Sequence, residues 1–301
     1  MATLPSPVEP LFDELFAQNN LKVSVKRDDL IHPDIMGNKW RKLKYNVQEA
    51  KKLGYSGLLT FGGAYSNHIA ATAAAAHENE LKSIGLIRGD ELNETSNHTL
   101  RFASTKGMRL EFLTRNSFAT SKSSINEIQN KYPNYYVLPE GGTNYLAIEG
   151  CAEIVYELKE KYDYLITPYG TGGTMAGILK GMRNEGKLIG ISSLKGDWMD
   201  EDFSLLLKKN KIGFKNYQIM KDFHFGGYGR VSDQLIDLIN RIKQKFDLQL
   251  DPIYTGKMYF GALKLIEEGF FESGSEILMI HTGGLQGIAG YNEKAKKKIL
   301  V

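Results

Sequence analysis

Tyr164-Leu165-Ile166-Thr167-Pro168-Tyr169-Gly170-Thr171-Gly172-Gly173-Thr174 runs from a β-rich apolar stretch through a glycine-rich turn into a helix-like segment. Glycines in such a turn let backbone amides approach an anion. The helix start that follows favours negative charge, and threonine hydroxyls add donors. Phosphate is the natural occupant, although a tight turn capping a helix would carry the same letters. No Gly-Lys-Ser/Thr follows, so this is not a Walker loop. The glycine spacing and the late position in the chain fit the dinucleotide pattern poorly.

The same strand-then-helix alternation extends in both directions. Apolar runs at 58–61, 84–87, 110–113, 135–138, 188–191 and 277–280 read as strands, and helices are predicted near 66–78, 96–106, 147–161 and from 174 onward. This pattern predicts an α/β fold with parallel sheets covered by helices on both faces. Ligands in such sheets sit beyond the carboxyl ends of strands. Two more glycine turns fall there, Gly62-Gly63-Ala64-Tyr65-Ser66-Asn67 and Thr282-Gly283-Gly284. Ser66 and Asn67 are both good helix-capping types.

With 42% hydrophobic and 24% charged residues in 301, the composition is that of a globular protein, long enough for one large or two modest domains. The formal charge of +3 is small and spread out. The one basic run, Lys296-Lys297-Lys298, reads as a solvated helix end, so nucleic acid is not an expected partner. Cys151 is the single cysteine, which excludes an intramolecular disulfide and fits a reducing, cytoplasmic setting. It lies in a helix-like stretch without the base or electropositive setting of a catalytic thiol. The opening segment through Pro10 lacks a signal-peptide layout, and no apolar run reaches membrane-spanning length, so no membrane association is expected. Composition marks no domain boundary.

A second stretch, Gly37-Asn38-Lys39-Trp40-Arg41-Lys42, places a lysine after a poor helix-interior pair, with two cations close by. A lysine that bonds covalently to a carbonyl must stand at an active-site edge, its pKa lowered by burial or neighbouring cations. From these residues alone, a solvated basic turn is the better reading.

Taken in order, Lys26-Arg27-Asp28-Asp29 with Gly37 to Leu43, Gly62 to His68, Pro139-Glu140-Gly141-Gly142-Thr143-Asn144, Gly170 to Thr174, Asp251-Pro252-Ile253-Tyr254-Thr255-Gly256-Lys257 and His281-Thr282-Gly283-Gly284 resemble the signature of one family. It is the 1-aminocyclopropane-1-carboxylate deaminase and D-cysteine desulfhydrase family, among the fold-type-II, tryptophan-synthase-β-like pyridoxal-phosphate enzymes. The resemblance covers nearly the whole chain. It implies two open twisted α/β domains with pyridoxal 5′-phosphate between them. The larger would comprise 1–45 and 150–301, the smaller 46–149. A homodimer acting on a small amino acid is implied, with no metal.

The resemblance makes Lys39 the covalent anchor of the cofactor and a mover of protons. Asn67 would hydrogen-bond the phenolate oxygen. Ser66 and the amides beside it would hold the substrate carboxylate, with His68 in contact with substrate or packed behind it. Gly170, Thr171, Gly172, Gly173 and Thr174 would hold the phosphate, with help from Lys42. Tyr228 and Tyr254 match two active-site tyrosines of the family. Thr255 or Thr282 would partner the ring nitrogen.

Three departures bear on substrate. Cyclopropane-opening members carry glutamate where this chain has Thr255, and tend to carry Ser-Asn-Gln and His-Leu-Gly-Gly where it has Ser66-Asn67-His68 and His281-Thr282-Gly283-Gly284. All three lean toward β-elimination from D-cysteine or a related β-substituted D-amino acid. A cyclopropane deaminase forming 2-oxobutyrate is the alternative, and a non-catalytic pyridoxal-phosphate carrier the second. The region between Arg88 and Pro139 also looks short for the family, which bears on substrate choice rather than on the cofactor.

Overall fold

The computed structural model describes residues 2–301. Its strands are β1 (Val8–Leu11), β2 (Lys22–Lys26), β3 (Gly57–Gly63), β4 (Lys82–Arg88), β5 (Met108–Leu113), β6 (Tyr135–Val137), β7 (Tyr164–Tyr169), β8 (Lys187–Ser192), β9 (Tyr217–Met220) and β10 (Glu276–Ile280). The first six helices are α1 (Glu14–Gln18), α2 (Asn38–Lys52), α3 (Asn67–Glu78), α4 (His98–Thr105), α5 (Arg115–Ser123) and α6 (Ile125–Lys131). The rest are α7 (Tyr145–Tyr156), α8 (Gly173–Met182), α9 (Met199–Lys209), α10 (Asp233–Phe246), α11 (Thr255–Glu267) and α12 (Gln286–Lys294). Among the described residues no helix is long and apolar enough to cross a membrane.

The chain divides into two compact units. The larger holds the N-terminal segment to His32, Met36–Asn38 and Cys151–Val301, and the smaller holds Pro33–Ile35 and Lys39–Gly150. The main segment of the smaller unit therefore begins between residues 38 and 39 and ends at residue 150. The reason is helix α2. Its Leu43, Val47 and Ala50 bury against Ala71, Ala74 and Ala75 of α3, which draws Lys39 to Tyr45 into the smaller unit.

The larger unit is built on a six-stranded sheet in the order β1-β2-β10-β7-β8-β9, parallel except for the antiparallel β1–β2 pair. β10 lies inside it, with Met279 opposite Val25 on one side and Ile166 on the other. Ile277 to Ile280 are fully buried. Strands covered on both faces read as unbroken apolar runs, which is why 188–191 and 277–280 are legible as strands. Ile277 and Met279 join Val23, Ile166 and Ile191 in a core closed by Leu235 and Ile239 of α10 and Met258 and Ala262 of α11.

The smaller unit carries a four-stranded, all-parallel sheet in the order β5-β4-β3-β6. Successive side chains of β3 point to opposite faces. Leu59 and Phe61 pack with Phe118 of α5 and Ile128 of α6, whereas Leu58 packs with α2 and α3. Every residue of α3 from His68 to Ala76 is buried. Its alanines let the helix lie close to neighbours on several sides.

Ile277→Ala and Leu58→Ala each empty a fully buried position in an interior strand. Each is expected to cost about 2–5 kcal/mol, read as a lower urea midpoint. An unchanged midpoint for either would contradict the core described here.

Candidate active site

In the larger unit, β7 ends at Tyr169 and α8 begins at Gly173. The helices α3, α4, α5 and α10 are capped by their own Ser66, Asn97, Thr114 and Ser232 side chains. Helix α8 is not: its cap is Gly172, in the left-handed region, with no side-chain bond. The first amides of a helix need acceptors, and a start without a side-chain cap suits an anion. Thr171 is exposed at this turn and Thr174 is buried.

Two other glycine motifs join this turn. Asn38 donates from its side-chain amide to the Thr174 hydroxyl at 3.0 Å, and its backbone N–H donates to the Thr282 carbonyl at 3.2 Å. Gly37 makes the approach possible. Its φ is +56°, and a Cβ there would lie 2.1 Å from the Thr282 oxygen. His281 orders the same turn, with Nε2 at 2.6 Å from the Gln249 carbonyl and Nδ1 accepting from the Gly283 N–H at 3.2 Å. The residue immediately before Lys39 is thus bonded to both the Gly170–Thr174 turn and the Thr282 turn.

Tyr254 borders the glycine-rich turn, since a Cβ on Gly170 would meet its Cε1 at 3.2 Å. The Tyr228 ring stands edge-on to Tyr254 at 6.0 Å between centroids. Thr255 is engaged locally. Its hydroxyl donates to Asp251 Oδ2 at 2.6 Å and accepts from the Asp251 N–H at 2.9 Å. The Asp251 carboxylate also receives the N–H groups of Ile253, Tyr254 and Thr255, each at 2.8 Å. This buried carboxylate organises the start of α11. Thr282 is also buried.

In the smaller unit, Lys39 is the second residue of α2 and is half-buried. Gly37 therefore precedes a helix that Asn38 opens, rather than the two forming an exposed turn; the pair is poor inside a helix but good at its start. The Lys42 ammonium, buried, donates to the Gly141 carbonyl at 3.0 Å and the Thr143 hydroxyl at 3.1 Å. Ser66 accepts from the Ile69 N–H at 3.3 Å and so caps α3, with Asn67 as the first helical residue.

His68 is buried in the first turn of α3, and neither ring nitrogen has a hydrogen-bond partner. Gly142 lies against it: with φ at +70°, a Cβ there would come within 2.6 Å of the imidazole Cε1. Burial first, and the charges of Lys39 and Lys42 next, hold its pKa well below the ordinary histidine value. The ring is therefore neutral at physiological pH.

Sequence reading alone passes over Asn38, Asp251 and Gly142 as functional positions. Asn38 sits inside a quoted motif, but nothing local shows that it reaches Thr174, 136 residues away. The donor set of the larger unit fits a phosphate group: a helix start without a side-chain cap, with threonine hydroxyls beside it.

Gly37→Ala is expected to push the Asn38 segment off Thr282 and to release cofactor; phosphate content after dialysis checks this, and full retention would contradict it. His68 generates a pH prediction. Because its folded pKa lies below the ordinary value of about 6.5, the unfolded chain takes up the proton first as acid is added. Its contribution to stability is complete above that value and declines below it. His68→Gln should flatten the loss of stability on acidification, measured as thermal midpoints across that range.

Comparison with known proteins agrees with this chemistry. Residues 3–283 match the model of a family described as pyridoxal-phosphate dependent enzyme. A curated relative from Pyrococcus abyssi, provisionally named 1-aminocyclopropane-1-carboxylate deaminase, is 32% identical and aligns over 90% of this chain and 87% of its own. One from Thermotoga maritima with the same provisional name is 29% identical over 94% and 95%. A crystal structure described as an ACC deaminase homologue superposes with a TM-score of 0.84 at 28% identity, covering 97% of this chain and 93% of that one. The chain thus belongs to the pyridoxal-phosphate-dependent enzymes of fold type II, and pyridoxal 5′-phosphate is its cofactor.

Proposed function

We propose that this enzyme is a lyase that eliminates the β-substituent of a small amino acid, with D-cysteine as the leading substrate, giving pyruvate, ammonia and sulfide. The observation that carries this reading is the pair Thr255 and Asp251. Where cyclopropane-opening members have a glutamate, this chain has a threonine whose hydroxyl is bonded to Asp251. The Asp251 carboxylate in turn is filled by three backbone amides. Thr282 is then the hydroxyl assigned to the ring nitrogen. A hydroxyl holds a proton there far less firmly than a carboxylate does. That suffices when the substrate itself carries a good leaving group at Cβ.

Bound pyridoxal phosphate supplies delocalisation of the charge that develops at the substrate α-carbon. The chain supplies position and protons. The Lys39 amine is assigned the proton at the α-carbon. Ser66 and the first amides of α3 are assigned the substrate carboxylate, a task that a helix start favours. Asn67 is assigned the phenolate oxygen, and Gly170 to Thr174 the phosphate. Tyr254 and Tyr228 border the substrate. Lys42 is assigned to the Gly141–Thr143 turn that backs His68.

A second reading, 1-aminocyclopropane-1-carboxylate deamination to 2-oxobutyrate, is favoured by the provisional names of relatives that align over nine-tenths of the chain. That substrate has no α-hydrogen, so its ring must be opened by attack or proton delivery at a ring carbon. A carrier without turnover would have no use for a carboxylate site at Ser66.

Incubating the purified holoenzyme with D-cysteine, L-cysteine and 1-aminocyclopropane-1-carboxylate separates the readings. Sulfide and pyruvate in equal amounts are expected from D-cysteine, and Lys39→Ala should abolish them. Formation of 2-oxobutyrate without sulfide would overturn the first reading in favour of the second.

A further inference from the structure

Lys257 lies in the first turn of α11 and is fully buried. Its ammonium donates to two carbonyls, His224 and Gly227, each at 2.9 Å. Both burial and the positive end of a helix disfavour a cation. A buried charge held by so little is a poor source of stability, and a hydrophobic side chain of similar volume would cost less. The position is better explained by what the ammonium grips.

It grips a loop in an unusual conformation. Phe225, Gly226, Gly227 and Gly229 have φ of +56°, +97°, +118° and +73°. The loop closes on itself through two turns, Gly227 N–H to the His224 carbonyl and Arg230 N–H to the Gly227 carbonyl, each 3.1 Å. Lys257 binds both of those carbonyls. Between Gly227 and Gly229 stands Tyr228, edge-on to Tyr254, and Tyr254 is the cap residue of the helix that carries Lys257. One ammonium therefore ties the Tyr228 loop to the start of α11.

We propose that Lys257 is a positioning residue, whose ammonium latches the 224–229 loop and so sets where Tyr228 stands during the reaction. The reaction role rests on Tyr228 bordering the substrate, as in the function proposed above. The latch depends on a proton. Burial lowers the Lys257 pKa to about 8, against an opposing pull from Asp251. Other titratable groups at the loop are the His224 ring, which accepts the Gly226 N–H at 2.8 Å, Lys195, whose Cβ lies 3.4 Å from where a Gly227 Cβ would be, Arg230, whose Cγ lies 3.6 Å from where a Gly226 Cβ would be, and Tyr228 with its ring neighbour Tyr254. A neutral amine keeps at most two bonds without charge assistance, and the loop loosens as pH rises through that value.

Hydrogen exchange of the Gly227 and Arg230 amides in the holoenzyme tests the latch directly. After correction for intrinsic rate, exchange should rise about tenfold as pH passes from below to above the Lys257 pKa. In Lys257→Met it should be fast at every pH. Exchange in the wild type that ignores pH overturns the latch, as does a Met variant as protected as the wild type. If that variant does not fold, the wild-type profile alone decides. With a substrate that the enzyme turns over, Lys257→Met should lower kcat/KM about tenfold and lower it far less in a Tyr228→Phe background. Equal losses in the two backgrounds would remove the reaction role. Absence of turnover with every amino acid would count against the proposed function and leave the exchange result to judge the latch.

Discussion

The close approach of Gly37 to Thr282 is the constraint on which the site depends. A residue with any side chain at position 37 would collide with the Thr282 carbonyl. Without that approach, Asn38 could not donate to Thr282 and to Thr174 at once. Those two bonds tie the glycine-rich turn after β7, the turn after β10 and the first residue of α2 into one arrangement. Lys39 follows by a single peptide bond. The role proposed for Lys39 needs a fixed backbone more than a fixed side chain, because its long stem must move between partners. Asn38 provides that fixed point.

The same economy recurs around the tyrosines. Asp251 organises the start of α11 through three amides and a hydroxyl, and this sets Tyr254 beside Gly170. Lys257, in the first turn of the same helix, holds the loop that presents Tyr228. A single short segment, 251–257, therefore orients both aromatic residues. In the smaller unit Lys42 plays a comparable part, holding the Gly141 and Thr143 turn that closes over His68. A buried charge must be paired, whereas a neutral ring costs far less to leave without a partner. His68 takes the second course.

Helix α3 shows how packing and chemistry share one element. Its alanines face the cores of the smaller unit on several sides, while its first turn carries Ser66, Asn67 and His68. A helix buried along most of its length cannot shift without opening those cores. The start of α3 is accordingly held in a fixed place, as the carboxylate role proposed for it requires.

Much of this was legible in the sequence, for physical reasons. Parallel strands covered on both faces must be continuously apolar, so β3, β4, β7, β8 and β10 announce themselves. Turns that bring backbone near an anion must be glycine-rich, so Gly170 to Thr174 and Thr282 to Gly284 stand out, and the order of the motifs carries the family and the cofactor. The tertiary structure decided the rest. Lys39 reads locally as a turn lysine, and only the packing of Leu43 and Val47 on α3 sets it in the first turn of a helix that belongs to the smaller unit. Asn38 becomes a linchpin through a partner 136 residues distant. Asp251 and Lys257 acquire roles from backbone groups that folding brings to them. Local letters encode periodicity and backbone freedom; which hydrogen-bonding group meets which across the fold is fixed only when the chain has closed on itself.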